Sequence, residues 1–202
     1  MEIQPKNNEQ INYYSSPSNS FFENLGGHLI DFIQTLVVCG AIFTLIYLFI
    51  AQPHRVSGRS MVPNFQDGDF ILTDKISYRF DAPKRGDIIV LKYPKAESQE
   101  FIKRIIGLPG DTLQIKDGSV LANGEPLREA YLPSETQTRG VESGYIREGE
   151  IVKVEENQYF VFGDNRANSS DSRNWGPITK EEIVGKTFFR YWPPKSFGLT
   201  AL

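Results

Sequence analysis

Residues 32 to 51 form a run of 20 residues without a charged side chain. At about 1.5 Å of rise per helical residue the run is about 30 Å long, which matches the hydrocarbon thickness of a bilayer. It predicts one transmembrane helix, which we place over residues 29–51. A buried core helix and a cleaved signal peptide are the alternatives. A signal-peptide core, however, is usually about 7 to 15 residues long and follows a basic segment, whereas this run is longer and follows acidic residues.

The chain before this run is polar and has no apolar period. Its first 20 residues are rich in Asn, Ser and Gln, and such a composition buries too little apolar surface to offset the entropy of ordering. We therefore expect residues 1–28 to form a disordered tail. Arg55 and Arg59 follow the apolar run, while Lys6 is the one basic residue before it; this slight charge bias would place the rest of the chain in the cytoplasm.

Histidine, cysteine and net charge exclude several functions. The chain has two histidines, His28 and His54, and one cysteine, Cys39. These are too few ligands for a Cys/His zinc site, and a single cysteine cannot form an intrachain disulfide. Cys39 lies in the apolar run, where burial favours the neutral thiol, and both histidines flank that run, so the base of any hydrolase is expected not to be histidine. From residue 52 onward the 21 basic and 21 acidic residues balance, and no basic surface indicates nucleic-acid binding.

After the apolar run the pattern is typical of β-structure. Short stretches rich in Ile, Val, Tyr and Phe lie between Gly, Pro and Asp. Two turn pairs, Asp117-Gly118 and Asn123-Gly124, bracket a short strand. The sequence predicts a mainly β protein in which an all-β domain of antiparallel sheets covers residues 52–202, with a flexible loop at 133–149. The predicted strands are Phe70–Leu72, Asp87–Tyr93, Phe101–Ile106, Thr112–Ile115, Ser119–Leu121, Gln158–Phe162 and Lys186–Trp192.

The segment 57–63, Ser-Gly-Arg-Ser-Met-Val-Pro, is the first candidate for chemistry. Glycine and proline around Ser60 can hold this serine at an exposed, sharply turned position, with its own N–H free to face a developing oxyanion. The alternative is that Ser60 is only a turn residue.

Lys103 is the second candidate. In a strand, alternate side chains share a face, so Lys103 would lie beside Phe101 and Ile105, while Arg104 points to the opposite face. Apolar burial disfavours the ammonium and lowers the pKa of a lysine from its usual value near 10.4, and a neutral lysine can take the proton of a serine hydroxyl. The alternative is an edge-strand lysine that discourages aggregation.

The segment 163–173, Gly-Asp-Asn-Arg-Ala-Asn-Ser-Ser-Asp-Ser-Arg, is the third candidate and directly follows a predicted strand. Its side chains could lock a catalytic lysine in place through hydrogen bonds. It could also be a hydrogen-bonded surface loop or a calcium loop, although the spacing of its carboxylates does not fit an EF-hand.

Taken together and in this order, residues 30 to 193 closely resemble the bacterial type I signal peptidases, membrane-bound serine-lysine endopeptidases that remove signal peptides. The resemblance includes the segment Ser-Met-Val-Pro at 60–63, Gly-Asp-Phe-Ile-Leu at 68–72, Arg-Gly-Asp-Ile-Ile-Val at 85–90, Lys-Arg-Ile-Ile-Gly-Leu-Pro-Gly-Asp at 103–111, and the polar motif from residue 163 through Trp175-Gly176.

The resemblance implies that Ser60 is the acylating nucleophile and Lys103 the general base, without metal or cofactor. It also implies supporting residues around this dyad. Ser169 would orient the lysine amine, Asp171 would hold Arg173 and its loop, and the fold around the site would be supported by Asp164, Arg166 and Arg104.

The family also suggests the residues that position the substrate. Some members carry a serine two residues before the nucleophile as an oxyanion donor, whereas this chain has Gly58, as in the Gram-positive type. The expected oxyanion hole is the Ser60 N–H with the Gly58 backbone, and Ser57 is a further candidate. Met61 is expected to line a shallow pocket for small substrate side chains.

The implied substrates are exported preproteins cut after small residues. The implied location is the plasma membrane, or an internal membrane of the thylakoid type, in contact with lipid and near the protein translocation machinery. The family's domain lies outside the cytoplasm with the N-terminus inside, and large domains translocate regardless of a few basic residues. Two other functions remain open: a self-cleaving repressor-type Ser-Lys peptidase, which would lack a membrane span, and a membrane-anchored β module that binds exported proteins without cutting them.

Overall fold

The computed structural model describes residues 20–200, with side chains from residue 27 onward. Most of the predicted tail, residues 1–19, lies outside the described residues. The chain divides into two units, one ending at Thr44 and the other starting at Leu45.

Helix α1 spans Ser20–Phe49. Its segment Gly27–Phe49 contains an 18-residue window with a mean hydropathy of 2.2 and is long and apolar enough to cross a membrane. The helix differs from the sequence prediction at both ends: residues 20–28, placed in the disordered tail, are helical, and the helix stops two residues before the predicted end at residue 51. The helix stops there because residues 51–55 form a strand that pairs with residues 70–74.

The described part of the second unit is built mainly from strands, with two short α-helices, α2 (Ser77–Phe80) and α3 (Ser172–Trp175), and three short 3₁₀-helices, Arg166–Asn168, Lys180–Glu182 and Pro194–Ser196. The strands are β1 (Ala51–Arg55), β2 (Phe70–Asp74), β3 (Ile88–Tyr93), β4 (Ala96–Gly107), β5 (Thr112–Lys116), β6 (Ser119–Ala122), β7 (Glu125–Pro126), β8 (Ile151–Lys153), β9 (Gln158–Phe162), β10 (Ile178–Thr179), β11 (Ile183–Trp192) and β12 (Gly198–Leu199).

The strands form two antiparallel sheets. The larger has the order β1-β2-β11-β3-β4-β9-β10, with β12 added beside β11, and the smaller has the order β7-β6-β5-β8. The predicted fold class, a mainly β protein with antiparallel sheets and one N-terminal helix, is confirmed. Both predicted hairpin turns also form, since Asp117-Gly118 and Asn123-Gly124 each have two consecutive positive φ angles, as a type I′ turn requires.

Strand β4 lies inside the larger sheet between β3 and β9. Its second half, Ile102–Gly107, is buried throughout. The alternative that Lys103 is an edge-strand lysine is therefore wrong, because Lys103 pairs with Ile89 of β3 and the next residue, Arg104, pairs with Phe162 of β9.

All seven predicted strands overlap an observed one, but several short strands were missed. The first is β1, which contains Pro53 and His54 and pairs with β2; proline lies in an edge strand because it cannot donate to a ladder. The segment 133–149 contains no helix or named strand. Its flexibility stays a prediction, and two of its residues, Thr138 and Ile146, are buried.

Candidate active site

The loop between β1 and β2 carries Ser60. Beneath this loop Met61 is 1% exposed and belongs to an apolar cluster whose other buried members are Val56, Phe65, Ile71, Ile88, Val90 and Ile102. Burial of this methionine is favourable by about 1.5–3 kcal/mol, so the residue next to Ser60 anchors the loop to the sheet.

Asn165, in the polar segment after β9, holds the backbone of the same loop. Its backbone N–H donates to the carbonyl oxygen of Ser60 at 2.9 Å, and its side-chain amide donates to the carbonyl oxygen of Arg59 at 3.0 Å. The first and third segments singled out from the sequence are therefore joined by direct hydrogen bonds, although they lie about a hundred residues apart.

Lys103 reaches Ser60 from the strand β4. Its Nζ lies 2.9 Å from Ser60 Oγ and donates to the carbonyl oxygen of Ile102, also at 2.9 Å. The lysine is only 3% exposed. Burial lowers its pKa from 10.5 to about 8, although the negative charges of Asp171 and Asp164 act in the opposite direction. About one tenth of the amine is thus neutral at pH 7.

Ser60 and Lys103 open into a cleft of about 290 Å³. The cleft is walled by the loop of Ser60, by β1 and by part of β4, and it includes apolar side chains together with a few polar ones. The lining residues are His54, Arg55, Val56, Ser57, Gly58, Arg59, Ser60, Ile71, Val90, Glu100, Phe101, Ile102, Lys103, Asn168 and Ser170.

Asp171 organises the polar segment that follows β9. Its buried carboxylate caps α3 and accepts from Nε and Nη2 of Arg173, both at 2.8 Å. It also accepts from the backbone N–H of Gly163 at 3.0 Å. Arg173 in turn donates to the carbonyl oxygen of Arg166. This arrangement ties α3 to the end of β9.

Arg104 and Asp164 form a second buried ion pair. Nε and Nη2 of Arg104 donate to the two carboxylate oxygens of Asp164 at 2.9 and 2.7 Å. Asn64, from the loop of Ser60, donates to the same carboxylate at 2.7 Å, and the guanidinium stacks 3.8 Å above the ring of Tyr131. This bidentate pair is well formed, and its carboxylate links β4, β9 and the loop of Ser60.

The structure places the other predicted site residues as follows. Arg166 pairs with Glu129 and donates to Thr138 and to the Gly163 carbonyl oxygen. Ser169 lies against Gly163, and its buried Oγ has no hydrogen-bond partner among the described residues; its predicted role in orienting Lys103 stays a prediction.

Two of the predicted substrate-positioning residues differ from expectation. Met61 does not line the cleft, because it is packed into the core beneath the loop. Gly58 does line it, but its N–H donates to the Asp67 carboxylate at 2.8 Å and is therefore already used. Ser57 lines the cleft, and its contribution to an oxyanion hole stays a prediction.

Sequence reasoning missed several residues that contribute to the site. Asn64, Glu129 and Tyr131 were not singled out, since each is an isolated polar or aromatic residue in an irregular segment without a motif. His54 and Glu100 were also missed as cleft residues, and their proximity depends on the pairing of strands far apart in sequence.

The arrangement has the parts of a hydrolase that uses a hydroxyl nucleophile. A serine on a turned loop lies within hydrogen-bond distance of a buried amine with a lowered pKa, and a cleft leads to both. Such a pair fits acyl transfer, in which the amine accepts the proton as the oxygen attacks a carbonyl.

Comparison with known proteins agrees with this class. The family model described as "Signal peptidase, peptidase S26" matches residues 29–192. Signal peptidase I of Leptolyngbya laminosa is 37% identical over 178 residues, which cover 84% of this chain and 83% of that protein. Signal peptidase I of Bacillus amyloliquefaciens is 36% identical over 168 residues, covering 82% and 89%. A crystal structure of a signal peptidase I from Enterococcus faecalis matches with a TM-score of 0.43 and 31% identity over 52% of this chain and 97% of that one.

The chain belongs to the signal peptidase family, peptidase S26. It is therefore a peptidase whose substrates are preproteins bearing signal peptides, and its apolar helix fits association with a membrane. The resemblance stated from the sequence motifs is confirmed.

Proposed function

We propose that the chain cleaves preproteins with a Ser-Lys dyad, in which Ser60 is the nucleophile and Lys103 the general base. The observation that carries this proposal is the 2.9 Å separation between Lys103 Nζ and Ser60 Oγ, combined with the near-complete burial of the lysine. When the amine is neutral, the Ser60 O–H donates along this contact to the nitrogen lone pair.

Cleavage then proceeds in two proton-balanced halves. Ser60 Oγ forms a bond to the scissile carbonyl carbon while Lys103 takes the hydroxyl proton. The resulting ammonium gives that proton to the leaving amine as the C–N bond breaks, and the mature chain departs. In the second half Lys103 takes a proton from water, the water oxygen attacks the acyl carbon, and the proton returns to Ser60 Oγ as the signal peptide leaves with a free carboxylate.

The developing oxyanion needs a donor in the turned loop. We assign this role to the Ser60 backbone N–H. The Gly58 N–H would first have to leave the Asp67 carboxylate, so it contributes only if substrate binding displaces that contact.

The dyad is tested by cleavage of a preprotein by the full chain in detergent, followed by amino-terminal sequencing of the product. Ser60→Ala and Lys103→Ala are expected to remove most cleavage, while Lys116→Ala, which changes an exposed lysine outside the cleft, keeps it. Circular dichroism checks that each variant is folded. Processing at the normal rate by either dyad variant would exclude the mechanism.

We further propose that residues 29–51 include a single transmembrane segment in the plasma membrane, with the N-terminus in the cytoplasm and the catalytic domain outside, near the translocation machinery. The 23-residue apolar stretch of α1 supports this proposal. Protease added to intact spheroplasts should digest the catalytic domain. Protection of that domain until the membrane is broken would place it inside and refute the topology.

A further inference from the structure

Three aromatic rings form a continuous stack beside the dyad, and the cleavage mechanism does not use them. The Phe101 ring lies under Lys103, with its centroid 5.1 Å from Nζ. The Tyr93 ring stacks on Phe101 with a centroid separation of 4.6 Å and an interplanar angle of 24°, and the Trp175 ring meets Tyr93 edge-on at 5.9 Å. Phe101 lines the cleft, whereas Tyr93 and Trp175 are outside its described lining. The stack therefore connects the amine to residues that do not border the cleft.

Strand pairing and helix α3 bring the three rings together. Alternate residues of a strand share a face, so Phe101 and Lys103 lie side by side on β4. Tyr93 is the last residue of β3, the antiparallel partner of β4. Trp175 is the last residue of α3, the helix that Asp171 caps. The polar segment that follows β9 thus reaches the lysine through packed rings as well as through the negative charge of Asp171.

The indole of Trp175 acts here through its ring. Its buried Nε1 has no hydrogen-bond partner among the described residues, and an unsatisfied buried donor is unfavourable. Contacts of the ring offset this cost, because Trp175 and Phe101 pack against the same apolar cluster, which includes Ile89 and Leu91. Stacked and edge-on aromatic pairs add stability beyond the burial of their area. The stack therefore fixes the Phe101 ring, which lies at a half-buried position.

The position of the Phe101 ring matters because the amine depends on the exclusion of water. Lys103 is 3% exposed, and burial is the largest cause of its lowered pKa. The face of an aromatic ring also attracts an ammonium, so the same ring favours the charged form that arises when the amine takes a proton. We propose that Tyr93 and Trp175 are positioning residues of the dyad, which hold the Phe101 ring against the amine and keep water from it. This inference rests on the proposed role of Lys103 as the base.

The charged groups around the amine stay in place in the test of this role. Asp171 and Asp164 raise the pKa of the amine through their negative charge. Each is paired with an arginine, Arg173 and Arg104 respectively. Within the stack, the hydroxyl of Tyr93 is the titratable group. The other titratable side chains that line the cleft are those of His54, Arg55, Arg59 and Glu100.

The pH profile of kcat/KM tests the stack. Tyr93→Leu keeps an apolar side chain but removes the stacked ring. It should raise the midpoint of the profile by about one pH unit, so that the rate at pH 7 falls about tenfold while the rate at pH 10.5 stays within about twofold of the wild type. Trp175→Leu, one ring further from the amine, should shift the midpoint by about half as much and lower the rate at pH 7 about threefold. Peptide cleavage by the full chain in detergent measures the profiles, and circular dichroism at each pH checks the fold.

Conservative variants separate the rings from their polar groups. Tyr93→Phe and Trp175→Phe keep a ring at each position but remove the hydroxyl and the indole N–H, and both should keep the wild-type midpoint. Phe80→Ala removes an aromatic side chain that is 83% exposed and belongs to α2, and it should leave the profile unchanged.

The role is refuted if both leucine variants keep the wild-type midpoint, whether they are fully active or lose the same factor at every pH, since a purely structural defect would lower the rate without moving the midpoint. It is also refuted if Tyr93→Phe shifts the midpoint as much as Tyr93→Leu. Because Tyr93 and Trp175 lie on different elements, failure of one leucine variant to fold leaves the other as the test. A wild-type rate equal to that of Ser60→Ala would instead overturn the proposed function.

Discussion

The pH dependence of cleavage follows directly from the buried amine of Lys103. Its pKa of about 8, against 10.5 for an exposed lysine, means that about one tenth of the amine is neutral at pH 7. Without burial the neutral fraction would be about 3 in 10,000, so burial increases the amount of competent base about 300-fold. If Lys103 is the base, as we propose, the neutral amine is the active form and activity increases with pH.

The expected profile is specific. At substrate concentrations well below KM, where the rate reports kcat/KM and hence the ionisation of the free enzyme, the rate should rise about tenfold from pH 6 to 7. It should rise about tenfold again between pH 7 and 9 and then level off. Initial rates of peptide cleavage in detergent measure this profile, and fluorescence at each pH checks that the protein stays folded.

Lys103→Arg is the matched control, because the guanidinium keeps the positive charge but does not lose its proton in this range. It should be inactive at every pH tested. A wild-type rate that is flat between pH 6 and 9, or one that starts to rise only above pH 10, would show that a buried neutral Lys103 is not the base.

Three further predictions concern stability and packing. Below pH 8 the buried ammonium of Lys103 lowers the folding stability by about 3 kcal/mol, because the amine has a pKa of about 8 in the folded protein and 10.5 in the unfolded chain. Lys103→Met should therefore raise Tm at pH 7, and the difference in Tm should shrink as pH rises from 8 to 10.5. A difference in Tm that stays constant with pH would count against the burial argument. Gly163→Ala should greatly reduce kcat with little change in the circular dichroism spectrum, because an added Cβ would overlap the carbonyl oxygen of Ser60. A normal kcat would show that the loop of Ser60 can move without loss of activity. Asp171→Asn should lower the free energy of unfolding by about 3–5 kcal/mol, since it leaves the buried Arg173 without its charged partner, and a urea midpoint equal to that of the wild type would contradict this.

Much of the fold could be predicted from local patterns. The uncharged run produced the expectation of one long apolar helix, and short β-rich stretches between turn residues led to antiparallel sheets. Strand β1 was missed because Pro53 and His54 are not β-formers, and the strand exists only by pairing with β2. Similarly, two-residue strands such as β10 and β12 have no signal of their own and depend on their partners.

The motifs indicated Ser60 and Lys103 as candidate site residues, since a serine in a tight loop and a lysine in an apolar strand can be recognised from the sequence alone. Only the tertiary structure determined that Lys103 lies inside the sheet, that its nitrogen is 2.9 Å from the Ser60 oxygen, and that Gly58 donates to Asp67 while Met61 packs beneath the loop. It also brought His54 against Glu100. The physical reason is that side-chain type and local spacing set which chemistry a residue can perform, whereas burial and distance arise from the pairing of strands that are remote in sequence. Burial sets the protonation state of the amine, and distance sets its access to the hydroxyl.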